Sequence, residues 1–231
     1  LVLSDAVVAG ARHFGVCATE AAECERHLAA ILAPVCAGEA GRVAAELVAE
    51  FGSLGAVLAA AAAGDRVPSR CNGPAGAFLG VLQQAFTHAL RRQALAGPII
   101  ADSDALLDYL HLRLAHGRVE QLLVLFLDAA NRLLAEEPIG AGSASGVVVD
   151  PRQVLQRALE LGASGMILVH NHPSGSTRPS AADIHTTRRV VEAARALEIS
   201  VHDHVIVGAT GWTSFRAMGL IGEGGAAGDA P

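Results

Sequence analysis

Chemistry is concentrated between Leu168 and Asp183, in the run LVHNHPSGSTRPSAAD. Its apolar lead-in, Met166, Ile167, Leu168 and Val169, reads as a buried strand ending in His170 and His172, which at i and i+2 point to the same side. Pro173, Ser174, Gly175 and Pro179 force a turn and a loop, and Ser180 opens a helix whose first turn carries Asp183. A carboxylate is thereby brought back towards two imidazoles. Two His and one Asp, with a fourth position left to water, make the open pattern of a catalytic zinc, whereas a structural zinc is closed by four protein ligands. One zinc per chain held by His170, His172 and Asp183 is expected, together with hydrolytic chemistry.

Blander readings exist for the same residues. Ser180-Ala181-Ala182-Asp183 also fits a helix N-cap with an acid at the third helical position, which favours that helix end with no metal at all. The letters His170-Asn171-His172 suggest an HNH nuclease, but that motif is spread over a ββα unit instead of standing contiguously. A hydrolytic site also needs a base to take a proton from water and return it to the leaving group, and a carboxylate is the usual choice. Outside the ligand set the candidates are Glu120, Glu136, Glu137, Glu160, Glu192 and Asp203. Glu136 and Glu137 read as solvated hairpin residues. His202 and His204 alternate onto one face of the following strand, either approaching the site or serving structure alone, and His185 reads as exposed.

The elements that must position these groups alternate. Residues 120–127 form an apolar strand, 128–131 its turn and 131–139 its hairpin partner. A short strand over 147–149 precedes a helix capped by Asp150, with Pro151 at its first position and Gly162 at its stop. After the strand to His172 come a helix over 180–197, a strand over 199–207 and an extended piece over 210–215. The fold class is therefore α/β, a mixed sheet flanked by helices. Ahead of it the periodicity is helical from Glu23, with a break near Phe51-Gly52-Ser53, a turn at Asn72-Gly73-Pro74, a long helix ending in Arg91 and Arg92, and another over 103–117. Residues 1–22 stay unassigned, 23–97 form a small all-α domain, 98–221 the α/β domain, and 222–231 a Gly/Ala-rich disordered tail.

The order His170, His172, Pro173, Gly175, Ser180, Asp183 resembles the JAMM (MPN-plus) metallopeptidase motif. The wording ILVHNHPSG, ADIHTTRRVVEAARAL and HDHVIVG is similar to the RadC family, bacterial proteins with a JAMM domain behind a helical one. The likeness runs from about Ala29 to Leu220. It implies a cytidine-deaminase-like fold, a catalytic Glu just ahead of the first apolar strand, which is Glu120 here, and a Ser, here Ser180, donating to the oxyanion of a peptide or isopeptide substrate. It also implies a helix-hairpin-helix in the first domain that meets DNA phosphates. Cys71 and Asn72 stand where that hairpin normally has Gly and an apolar residue, and only Gly73 remains, so the hairpin is degenerate. A DNA-associated accessory protein, with the JAMM fold as a binding module, is the alternative to a hydrolase.

Composition bounds these readings. Net charge is −6 and all 17 basic residues are Arg, so lysine-dependent chemistry is excluded. Between residues 40 and 97 five Arg face three acids, and between 103 and 220 ten Arg face twelve, too little for binding to nucleic acid by charge alone. Cys17, Cys24, Cys36 and Cys71 form no C-x-x-C pair, which suits neither a zinc ribbon nor a disulfide framework. With no apolar run near the roughly 18 residues of a membrane span and no leader pattern, a cytoplasmic protein without membrane contact is expected.

Overall fold

The computed structural model describes residues 18–36, 38–64, 74–99, 103–141 and 150–222. They divide into two compact units that change over between Leu90 and Arg91, inside a helix. In the first, α1 (Ala18–Leu32), α2 (Ala40–Phe51), α3 (Leu54–Ala62) and the start of α4 (Pro74–Ala94) bury Leu28, Leu32, Val43, Leu47, Val57 and Leu79. The first helix begins ahead of Glu23: 18–22 are Ala, Thr and Glu and carry no apolar stripe to announce them, although Ala21 packs against the core. The expected break is where α2 ends: Gly52 takes the left-handed conformation at φ 85 and Ser53 accepts from the Ala56 N–H at 3.2 Å to start α3. The degenerate hairpin at 71–73, the strand expected over 147–149 and the tail from 223 lie outside the described residues.

The second unit holds β1 (Gln121–Leu127), β2 (Leu133–Ala141), β3 (Gly165–Asn171), β4 (Ser200–Gly208) and β5 (Gly211–Ser214) in one sheet, in the order β2-β1-β3-β4-β5. β1 runs antiparallel to both β2 and β3, β4 antiparallel to β5, and β3 parallel to β4. That parallel pair requires a crossover, supplied by α7 (Ala181–Arg195); α5 (Ser103–Leu114) and α6 (Pro151–Leu161) complete the helices. This is the mixed sheet flanked by helices that the alternation predicted. One core gathers alternate residues of the strands, Leu122, Val124, Phe126, Met166 and Leu168, with Val154 of α6 and Val190 and Val191 of α7. His170 and His172 continue the same alternation beyond Leu168, so they emerge on the sheet face that α6 and α7 cover.

Local chemistry sets the boundaries. Asp150 accepts from the Arg152 N–H at 3.0 Å with Pro151 behind it, and Gly162 closes α6 in a left-handed turn at φ 65. Asp128 accepts from the Ala130 and Arg132 N–H groups at 2.8 and 2.9 Å, which makes the hairpin turn. Ile99, in the segment expected to be a connector, is fully buried and donates its N–H to the Asn131 carbonyl at 2.9 Å. Among the described residues no single helix is long and apolar enough to cross a membrane.

Candidate metal centre

β3 is buried along its whole length and delivers His170 to its last turn of alternation, with His172 just beyond. The two rings meet edge to face, with Nε2 of one 2.9 Å from Nε2 of the other. The His172 N–H bonds to the Val207 carbonyl at 3.1 Å, and its ring Nδ1 lies 2.9 Å from the Ser176 carbonyl. A carbonyl only accepts, so Nδ1 donates and the His172 Nε2 lone pair faces the cluster.

Asp183 serves two purposes at once. It is the third residue of α7, and with Ser180 it forms a reciprocal capping box: Ser180 Oγ accepts from the Asp183 N–H at 3.1 Å, and Asp183 Oδ2 accepts from the Ser180 N–H at 2.6 Å. The same carboxylate reaches His172 Nε2 at 3.3 Å and His170 Nε2 at 3.5 Å. Cap and metal ligand were alternatives on sequence grounds; the geometry accommodates both. Since Ser180 makes the cap through an acceptor lone pair, its hydroxyl proton stays available.

Glu120 joins from another part of the chain. Leu122 is paired with His170 across β1 and β3, so the residue two before it arrives beside His172. Asn171, between the two histidines and facing the other way, holds this approach: its Oδ1 accepts from the Gln121 N–H at 3.0 Å, and its Nδ2 donates to the carbonyls of Val119 and Gly117 at 3.1 and 3.3 Å. One ligand atom each from Glu120, His170, His172 and Asp183 lies within 4.8 Å of all the others, and the group could hold a metal ion.

The electrostatics fit a cation. Burial pushes the His170 pKa down to about 4 and that of His204 well below the usual value, so both rings are neutral at physiological pH. A proton added at His172 Nε2 bonds to Asp183, which raises the pKa of His172, so that proton and a cation compete for the same point. Burial alone would raise the Asp183 pKa, but the bonds from His172 and Ser180 and the nearby His170 hold it well below the usual carboxylate range. An ionised carboxylate beside lone-pair-bearing imidazoles favours positive charge at one point, and nitrogen and oxygen donors of these kinds are able to bind a metal ion.

Other candidates are placed elsewhere. Asp203 is buried on the opposite alternation of β4, where its carboxylate accepts from Ser214 Oγ and from the N–H groups of His204 and Arg216 at 2.5, 2.7 and 3.0 Å. His202 packs against Gly165, where any side chain would collide with its ring. His185 and Glu192 are exposed. Glu137 and Glu160 both pair with Arg157 at 2.7 and 3.0 Å. Glu136 corrects the expectation of a solvated hairpin acid: its side chain is 2% exposed, bonded to Arg91, Arg113 and Tyr109. Its neighbours come from α4 and α5, which the β-hairpin pattern gives no means to see.

Sequence reasoning missed two residues of the centre. The sequence marks Asn171 only as the middle of a His-Asn-His triplet and gives Thr187 no role. The spacing of Thr187 from Asp183, i to i+4 on one helix, was the available signal.

A family model for the RadC-like JAB domain matches residues 100–220, which covers the sheet, α5 to α7 and the whole centre. A UPF0758 protein of Rhodobacter capsulatus is 43% identical over 185 residues, 78% of this chain and 84% of that protein. A UPF0758 protein of Ruegeria pomeroyi is 44% identical over 143 residues, 62% of this chain and 64% of that protein. With the motif, the fold and the matched length in agreement, this chain belongs to the RadC family.

Proposed function

We propose that the chain is a zinc-dependent hydrolase of the JAMM type, cleaving peptide or isopeptide bonds of a protein substrate. The observation that carries this reading is the arrival of Glu120 at a cluster built fifty residues later in the chain, on a segment tied to Asn171 by three hydrogen bonds. A cap-only role for Asp183 gives no reason for that convergence. His170, His172 and Asp183 would hold the ion, since neutral imidazole and carboxylate suit zinc. Zinc, when bound, polarises a carbonyl and lowers the pKa of water. Glu120 takes the proton from the attacking water and returns it to the leaving amine. Ser180, whose cap uses only an acceptor lone pair, donates its hydroxyl proton to the developing oxyanion.

The test compares cleavage products in a lysate treated with the wild type and with Glu120→Gln, with zinc content measured on both. The variant is expected to keep its metal and lose turnover by about 100- to 10,000-fold, because the loss falls on proton transfer. Equal product profiles would remove Glu120 from the mechanism.

A further inference from the structure

His204 has both ring nitrogens engaged while lying outside the four-residue cluster. Its Nε2 is 2.7 Å from His170 Nδ1, its Nδ1 is 2.6 Å from the Thr187 hydroxyl, and that hydroxyl is 2.6 Å from the Asp183 carbonyl. The ring is enclosed, with Phe215 4.5 Å away between centroids. A neutral imidazole has one donor and one acceptor nitrogen, so each ring's tautomer dictates its neighbour's.

Two orders can be written along this chain. In the first, Thr187 donates to the Asp183 carbonyl, His204 Nδ1–H to Thr187, and His170 Nδ1–H to His204 Nε2, which leaves the His170 Nε2 lone pair facing His172 and Asp183. In the second, Thr187 donates to His204 Nδ1, His204 Nε2–H to His170 Nδ1, and a proton on His170 Nε2 occupies the point where a cation would sit. Each ring keeps one proton and the hydroxyl its own in both orders, so neither gains or loses a proton relative to the other. The second order also places the Thr187 and Asp183 oxygens 2.6 Å apart with no hydrogen between them. The second puts its proton in the His170–His172 contact instead, whereas the first puts a proton in each of the three contacts from Asp183 to His170 and is the order that leaves room for a cation. The first also turns the lone pairs of His170 and His172 towards each other across 2.9 Å, an arrangement that a cation between them satisfies.

We propose that Thr187 and His204 are positioning residues that select the metal-binding tautomer of His170 through a chain anchored on the backbone carbonyl of Asp183. The proposal rests on the zinc reading above. It gives the site a determinant of affinity that touches no metal and links His170 to the segment that carries Asp183.

The test measures zinc affinity of the full chain by competition with a chelating dye. His204→Leu should bind zinc about 10- to 100-fold more weakly, the usual effect of removing the partner of a ligating imidazole. Thr187→Val, which keeps the shape but leaves the His204 Nδ1–H buried without an acceptor, should weaken binding in the same direction, while Thr187→Ser should stay near the wild type. Nitrogen-15 spectra of the zinc-loaded wild type should place the proton of both His170 and His204 on Nδ1. Wild-type affinity in Thr187→Val, or a His204 proton on Nε2, overturns the proposal even if His204→Leu fails to fold. His172→Ala separates the two claims. If the wild type binds zinc and His172→Ala does not, an unaffected Thr187→Val sinks this proposal alone; if the wild type takes up no zinc, or His172→Ala keeps it, the zinc reading falls and the proposal with it.

Discussion

Two carboxylates in the α/β unit lie beside groups able to carry positive charge, yet one is closed and the other open. Glu136 is enclosed by Arg91 at 2.8 Å, by Arg113 and by the Tyr109 hydroxyl at 2.5 Å. A guanidinium has donors and no acceptor, and the Tyr109 hydroxyl turns its proton to the carboxylate while accepting from Arg113, so the negative charge is met within the protein. Asp183 has imidazoles at 3.3 and 3.5 Å instead, and an imidazole with its other nitrogen engaged turns a lone pair inward. The first arrangement is complete; the second asks for a cation. The partner's type, more than the depth of burial, separates an acid that holds the fold from one that can hold a metal.

Replacing a member of each cluster breaks this contrast most directly. His172→Ala should abolish stoichiometric zinc, and Glu136→Gln should leave zinc content unchanged, both read by metal analysis of purified protein. Zinc retained by the first variant, or lost from the second while its circular dichroism is native, would show that the two clusters are not different in kind.

Stability should respond in the opposite order. Glu136→Gln removes charge from a carboxylate bonded to two guanidinium groups. Arg91 is 44% exposed, so the cost falls short of the 3–5 kcal/mol of a fully buried pair and is expected near about 2 kcal/mol in urea denaturation. Ser180→Ala, which deletes one half of the capping box that orients Asp183, should cost about 1 kcal/mol. Its effect on zinc should be smaller than that of His172→Ala, since the Ser180 N–H that holds Asp183 Oδ2 at 2.6 Å is a backbone group and survives. A Ser180→Ala protein as stable as the wild type would mean that the box is not what holds the ligand.

The open cluster was legible in the sequence and the closed one was not, for a physical reason. His170 and His172 declare a shared side through the period of two in a strand, and Ser180 with Asp183 declares a helix start, so both signals are local. Glu120 needed the resemblance, because strand pairing between β1 and β3 joins distant residues without a local mark. Tyr109, Arg113 and Glu136 meet only after α5 settles against the sheet, and His204 meets His170 only because β3 and β4 run parallel with α7 between them. The architecture follows from alternation and turn chemistry; the polar contacts that join elements depend on packing that alternation does not encode.

A third site extends the contrast to His116, whose charged neighbour is a second imidazole. His116, just past α5, lies 6.2 Å from His111 between ring centroids, and burial, followed by the nearness of His111, lowers its pKa to about 4. His172, beside Asp183, is shifted upward instead. Between pH 6.5 and pH 4 the unfolded chain binds a proton at His116 that the folded chain refuses, so stability is full above 6.5 and falls as pH drops towards 4. The half-buried ring reduces this contribution to about 1 kcal/mol between pH 6.5 and pH 5. Urea denaturation across that range should therefore show a shallower loss in His116→Gln than in the wild type. Parallel curves would mean that water reaches the ring freely and that His111 does not oppose its protonation; a steeper loss in the variant would reverse the sign and assign His116 a carboxylate partner.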